Sequence, residues 1–320
     1  MPALICYRAF RNNDPPGLVD IWRSQVPVRH LMQPMTLQIF SQLVLAKPYF
    51  EREGLIVALQ DHKPVGFVHA GFGPSDDRRG PSHEVGVVCM LMVRPHDEEA
   101  AIRDELLSRA EQYLVDRGAR TILGGAGGSY RPFYLGLYGG SDMPGVLDED
   151  RPTRQAYLAR DYAEEEQVLI FQRDLSSFRA PVDRRQRELR RSVSMTVEID
   201  PPVRNWWEAC TWGCFDRKRL SIQSRADGQT LASATFWTMD GFSTSWGVHA
   251  EGLAEVTVDP GATRQGLATC LLGEAMRRLH DQGISLIEAH APADHVALIG
   301  LCQKLGFEQV GRGTQFRKTQ

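Results

Sequence analysis

The stretch Val258-Asp-Pro-Gly-Ala-Thr-Arg-Gln-Gly-Leu-Ala-Thr269 has the layout for holding a phosphate. A short apolar run, Glu255-Val256-Thr257-Val258, meets Pro260, then a polar turn with Gly266, then an amphipathic segment. A strand ends, the backbone turns tightly, and a helix begins. The first N–H groups of a helix have no intrahelical partner, and the helix dipole adds partial positive charge at the same place. Gly266 lets an anion approach the backbone closely.

The elements that position this turn occur twice. Val93-Arg94-Pro95 precedes Val258-Asp259-Pro260 by 165 residues, and the same offset carries Ile102, Leu106, Leu107, Ala110 and Leu114 onto Leu267, Leu271, Leu272, Ala275 and Leu279. Each set is one apolar helix stripe. Gly118 and Gly283 follow as helix-terminating glycines, and Thr121-Ile122-Leu123 matches Leu286-Ile287-Glu288 as a short strand. Farther on the offset is 145, which carries Tyr162 to Phe307 and Phe171 to Phe316. The first half therefore holds about twenty extra residues, rich in glycine and aromatics, between its strand near Thr121 and its last helix near Thr153. Each half reads as strand, one or two helices, hairpin, strand, amphipathic helix, strand, helix and a final strand pair. Leu55–Gln60 with Pro64–Ala70, and Leu220–Ser224 with Thr230–Trp237, are the hairpins. A boundary falls within residues 176–191, which hold Pro181 and six arginines and read as a solvated linker or helix surface. The expected division is 1–175, a linker over 176–191, and 192–320.

Composition narrows the classes. The chain has 320 residues, 42% hydrophobic and 24% charged, as expected of a globular protein of two domains. A net charge of −3 gives no reason to expect nucleic acid or anionic membrane as a partner. No run has the length of a membrane span, and Met1 to Arg11 lacks the apolar core of a signal peptide. The six cysteines are dispersed, with no paired CxxC for zinc, so no metal is expected and free thiols in the cytoplasm are the simple reading.

Two segments of the second half carry a family resemblance. Val258 to Ala268 resembles the acetyl-CoA pyrophosphate loop of the GNAT superfamily of N-acetyltransferases, and Cys302-Gln-Lys-Leu-Gly-Phe307 resembles its closing helix and Gly-Phe turn. The first half is similar to a diverged copy. The resemblance implies an α/β fold (α+β mixed sheet): two tandem GNAT-like domains, each a mixed, mostly antiparallel sheet flanked by helices. It implies acetyl-CoA as co-substrate, bound by the strand edge Val256, Thr257 and Val258 and by the loop Arg264, Gln265, Gly266, Leu267, Ala268 and Thr269. Thr263 stands where the family usually places Gln or Arg. In the first half Ala101 replaces Gly266, Arg103 replaces Ala268, and Asp97-Glu98-Glu99 occupy the turn, so an anion would meet carboxylates. The first half is expected to have lost CoA binding.

The implied activity is transfer of an acetyl group to a primary amine of a small-molecule or peptide acceptor. Such transfer needs a neutral amine, a stabilised oxyanion and a protonated leaving thiolate. Glu255, beside the thioester end, is the first choice of base, with His249 and His290 as alternatives. Family members often carry Tyr as the acid where this chain has Cys302, while the first half keeps Tyr157 at its equivalent site. The aromatics of the insert (Tyr130, Phe133, Tyr134, Tyr138) read as a self-packed loop, with a substrate wall as the rival reading. Trp206, Trp207, Trp212 and Phe215 read as a core helix face. The rival function is a non-catalytic acyl-CoA-binding or regulatory protein on a retained fold.

Overall fold

The computed structural model describes residues 4–180 and 184–319. Pro181, within the expected linker, lies outside them. The first half runs β1 (Ile5–Ala9), α1 (Pro15–Arg23), α2 (Leu37–Phe40), β2 (Leu55–Gln60), β3 (Lys63–Pro74), β4 (Pro81–Val93), α3 (Glu99–Asp116), β5 (Thr121–Gly124), β6 (Val146–Leu147), α4 (Arg151–Ala159) and β7 (Ala163–Asp174). The second runs α5 (Arg184–Ser192), β8 (Val193–Ile199), α6 (Trp206–Trp212), β9 (Arg217–Ser224), β10 (Thr230–Thr238), α7 (Asp240–Trp246), β11 (Ala250–Val258), α8 (Leu267–Asp281), β12 (Leu286–Pro292), α9 (Val296–Lys304) and β13 (Glu308–Thr319). Both hairpins form at the places read from the sequence. The first closes through Asp61 and His62, both at positive φ (47° and 64°), which suits the twist of the flanking strands.

All the strands join one mixed sheet, in the order β1-β2-β3-β4-β5-β13-β7-β12-β11-β10-β9-β8, with β6 on the side of β13. The last strands are exchanged. β13, from the end of the chain, pairs with β5 of the first half, and β7, from the first half, pairs with β12 of the second. The two exchanged strands then pair with each other, antiparallel, from Glu308↔Gln172 to Arg317↔Ala163. This corrects the expected final strand pair in each half: each half ends in one long strand, and it completes the other half's sheet. The exchange therefore crosses the expected division at 176–191. Helix α5 (Arg184–Ser192) begins within that segment.

Three apolar clusters hold the layers together. The α3 stripe (Ile102, Leu106, Leu107, Ala110, Leu114) packs on the first-half strands, and the α8 stripe (Leu267, Leu271, Leu272, Ala275, Leu279) packs on the second-half strands. The third cluster is shared: Trp22, Phe133 and Tyr134 of the first half pack together with Trp212, Trp237 and Phe242 of the second. Burying such large side chains contributes roughly 1.5–3 kcal/mol each. The insert's Phe133, Tyr134 and Tyr138 are therefore core, not the surface of a loop. Tyr134 stacks on Trp22 at 5.9 Å and its hydroxyl meets His69 Nδ1 at 3.0 Å. The cysteines are all free. Among the described residues no helix is long and apolar enough to cross a membrane, and no group of His, Cys, Asp or Glu is arranged to hold a metal ion.

Candidate active site

The turn from Val258 to Thr269 forms as its residues require. Asp259 Oδ1 accepts from the Gly261 N–H at 2.8 Å, and Pro260–Ala262 makes one 3-10 turn. Gly266 then occupies the N-cap of α8 at φ +84°, a left-handed conformation that costs a Cβ-bearing residue about 1 kcal/mol or more. No side chain caps this helix. The N–H groups of Leu267, Ala268 and Thr269 consequently have no partner among the described residues. The α5 helix approaches from outside, where Gln186 Nε2 donates to the Gly266 carbonyl at 3.2 Å.

The strand edge comes from a split in the sheet. β11 and β12 pair in parallel only from Ala250↔Leu286 to Leu253↔Ala289, and then diverge. On the other side β11 stays paired to β10, with a bulge: Thr235 faces Glu255 and Phe236 faces Leu253, which leaves Ala254 as the extra residue. Beyond the split, the backbone of residues 254–258 has one edge free of β12. Between this edge and α9 lies a cleft of about 580 Å³. Val256, Val258, Arg264, Gly266, Leu267, Ala268 and Thr269 all line it. Of the expected cofactor residues, Thr257 and Gln265 do not; the Thr257 hydroxyl is 2.7 Å from that of Ser233. The far wall, Ala297, Leu298 and Leu301 of α9, is apolar and carries no motif that sequence alone could flag.

The same place in the first half is closed. There the cavity between Val88–Leu91 and α4 measures about 20 Å³, room for one water at most. Val146 and Tyr138, brought in by the insert, and Tyr157 fill it. At the turn, Arg103 Nη1 donates to the Thr153 hydroxyl at 3.0 Å and Nη2 to Glu99 at 2.6 Å. A guanidinium and a carboxylate thus lie where the second half has a bare helix start.

The titratable groups gather where the strands part. Glu255 lines the cleft and pairs with Arg204 Nη1 at 3.0 Å. His290, the residue after the last β11–β12 pair, lies at the floor of the cleft, and neither of its ring nitrogens has a hydrogen bond. Its Nε2 is 3.5 Å from Glu288 Oε1, an ion-pair contact. Glu288 is wholly buried and accepts from the Ser141 N–H and from Gln172 Nε2, both at 2.6 Å, while His30 Nε2 lies 3.3 Å away. Burial alone would raise the Glu288 pKa, but the two flanking imidazoles outweigh it and hold the carboxyl down at about 2. Gly140 is obligatory beside it, because a Cβ there would strike the carboxylate.

Other candidates lie elsewhere. Cys302 is 2% exposed, belongs to the apolar cluster beneath α9 and lines no part of the cleft; burial pushes its thiol up to about 11. His249 is exposed at the opposite end of β11. Tyr157 is buried in the first half against Phe316. The position of Cys302 gives no support to its expected role as acid.

Residues 185–307 match the acetyltransferase (GNAT) family. The second half is a domain of this family, and the whole chain has the tandem GNAT fold. A glucosamine N-acetyltransferase region of a fungal multi-domain β-N-acetylglucosaminidase aligns with TM-score 0.72 and 17% identity over 99% of this chain and 38% of that one. This chain thus spans well under half the length of that fungal protein. A tandem GNAT protein from the clavulanic acid biosynthesis pathway aligns with TM-score 0.67 and 13% identity over 99% of this chain and 98% of its own. A GCN5-related N-acetyltransferase from Sphaerobacter thermophilus gives 0.64 and 13% over 98% and 95%. At these identities the likeness is one of fold. No curated protein matches the sequence. The match falls in the half that has the splayed strands and the bare helix start.

Proposed function

We propose that this GNAT protein moves the acetyl group of acetyl-CoA to the primary amine of a small acceptor, by direct attack, in its second half only. The observation that carries this reading is that the free edge of β11 and the uncapped N-terminus of α8 line one cleft, whose first-half counterpart is filled. Bound there, acetyl-CoA supplies the activated acyl group as a thioester. The N–H groups of Leu267, Ala268 and Thr269 hold its pyrophosphate. The edge of residues 254–258 and the apolar wall of α9 hold the pantetheine arm. The bulge at Ala254 offers a main-chain donor for the oxyanion.

Two side chains handle protons. Glu255 takes the proton from the attacking amine as the N–C bond forms. His290 gives a proton to the sulfur as the C–S bond breaks, and so takes the part the sequence assigned to Cys302. Beside it Glu288 stays ionised at any working pH. A glucosamine N-acetyltransferase region among the structures of like fold supports a small amine as the acceptor class, without fixing the substrate.

The test is thiol release from acetyl-CoA against a panel of primary amines, with the acetylated product weighed by mass spectrometry. Amine-dependent release, abolished by Gly266→Glu, is the expected result. Tight CoA binding without acetylated product across the panel would favour the non-catalytic reading.

A further inference from the structure

Beside the thioester end of the CoA cleft the halves line a second space, in two adjoining open cavities of about 110 and 270 Å³. Arg131 of the first half lines both, together with Arg204, Glu208 and Trp212 of the second. Glu255 and Ala254 line the smaller cavity and also the CoA cleft, so the two spaces meet at Glu255. Arg78, Arg217 and Arg219 complete the walls; with Glu198 paired to Arg219 and Asp142 to Arg131, five arginines stand against the four carboxylates Glu208, Glu255, Glu198 and Asp142. The chain as a whole is acidic, with a net charge of −3, so this concentration of positive charge is local.

The carboxylates do not use up these donors. Glu208 is shared between Arg204 at 3.0 Å and Arg217 at 3.3 Å, and Arg204 divides itself between Glu208 and Glu255. Arg217 is 5% exposed; its Nη2 donates to the Pro201 carbonyl at 2.8 Å, but its Nε has no partner. A buried charged N–H left unpaired is costly, so an acceptor brought by a ligand would be favoured there. Arg131 pairs with Asp142 at 2.7 Å and lies over the Trp212 ring at 5.8 Å, which holds its plane at the cavity wall.

Resting on the proposed acetyl transfer, we infer that the acceptor is a small primary amine carrying an oxyanion, a carboxylate or a phosphate. Its amine meets Glu255 and its anion meets Arg217 and Arg131. Guanidinium groups present paired N–H donors that match such oxyanions. The volume suits a small metabolite. Because Arg131 comes from the insert and Arg217 from β9, the first half would contribute directly to acceptor selection.

The test uses matched probes: O-phosphoethanolamine against ethanolamine, and β-alanine against β-alaninamide. Binding of each is measured by calorimetry to the full chain, both free and saturated with CoA. At least one anionic probe is expected to bind tenfold or more tightly than its neutral partner, and the pair that shows the gain distinguishes phosphate from carboxylate. Arg131→Gln should reduce the gain by about tenfold, the worth of one charge-assisted hydrogen bond. Arg217→Gln should do the same, and Arg131→Gln keeps the test valid if Arg217→Gln does not fold. Equal binding of both members of both pairs would overturn the inference. Failure of acetyl-CoA itself to bind would overturn the proposed function instead, and the free protein would still decide the anion preference.

Discussion

Glu288 and His290 lie two residues apart on β12, with Oε1 and Nε2 3.5 Å from each other, at the line where the halves meet. Ser141, Gln172 and His30, all first-half residues, hold the carboxylate; His290 lines the second-half cleft. The first half thereby fixes the charge beside a group of the second half. Replacing His290 by Gln should lower kcat by about 10²–10³. Cys302→Ala should leave kcat within about threefold and lower stability by about 1–2 kcal/mol, since only packing is lost. Steady-state kinetics and urea denaturation of both variants check this pair of outcomes.

The buried charges also set an acid limit. Glu288 has its pKa lowered from the ordinary 4.5 to about 2, so the fold favours the ionised form. Its contribution is complete above pH 4.5 and is lost as pH falls toward 2. His69 acts with the same sign: burial holds it neutral with a pKa lowered from 6.5 to about 3, and unfolding lets it take up a proton across that range. Stability should decline from about pH 6.5 downward and steepen below 4.5. Glu288→Gln should cost about 3–5 kcal/mol at pH 7 and remove the steeper part. Urea midpoints at pH 7, 5 and 3 would show it.

Exchange of β7 and β13 predicts one unfolding transition, not two. A chain ending at Phe307 should lose both halves together, because β5 and β7 each lose a partner strand. Separate fragments 1–175 and 192–320 should be unfolded or aggregated alone, since exposed strand edges pair promiscuously. Circular dichroism at increasing urea, read beside tryptophan fluorescence, reports whether the two signals move as one.

The repeat, the hairpins and the helix stripes were legible because periods of 3.6 and 2 and turn chemistry are local. The turn before α8 was legible for the same reason: Pro260, Gly266 and the stripe after them act within one segment. The strand exchange was not, because Phe171 and Phe316 look alike in either pairing and nothing local chooses the partner. The arginine-lined space was hidden too. Arg131 and Arg217 lie 86 positions apart in the chain, and only the fold brings them to one cavity. Phe133 and Tyr134 misled as loop residues because their core is built by both halves. Cys302 was placed on its helix correctly but faces inward, which motif spacing does not report.

Titration of the full chain with acetyl-CoA in a calorimeter tests the central claim most directly. One molecule should bind per chain, through the second-half cleft, and Gly266→Glu should remove all binding while leaving the unfolding midpoint within a few degrees. Two molecules per chain, or binding that survives Gly266→Glu, would contradict the account.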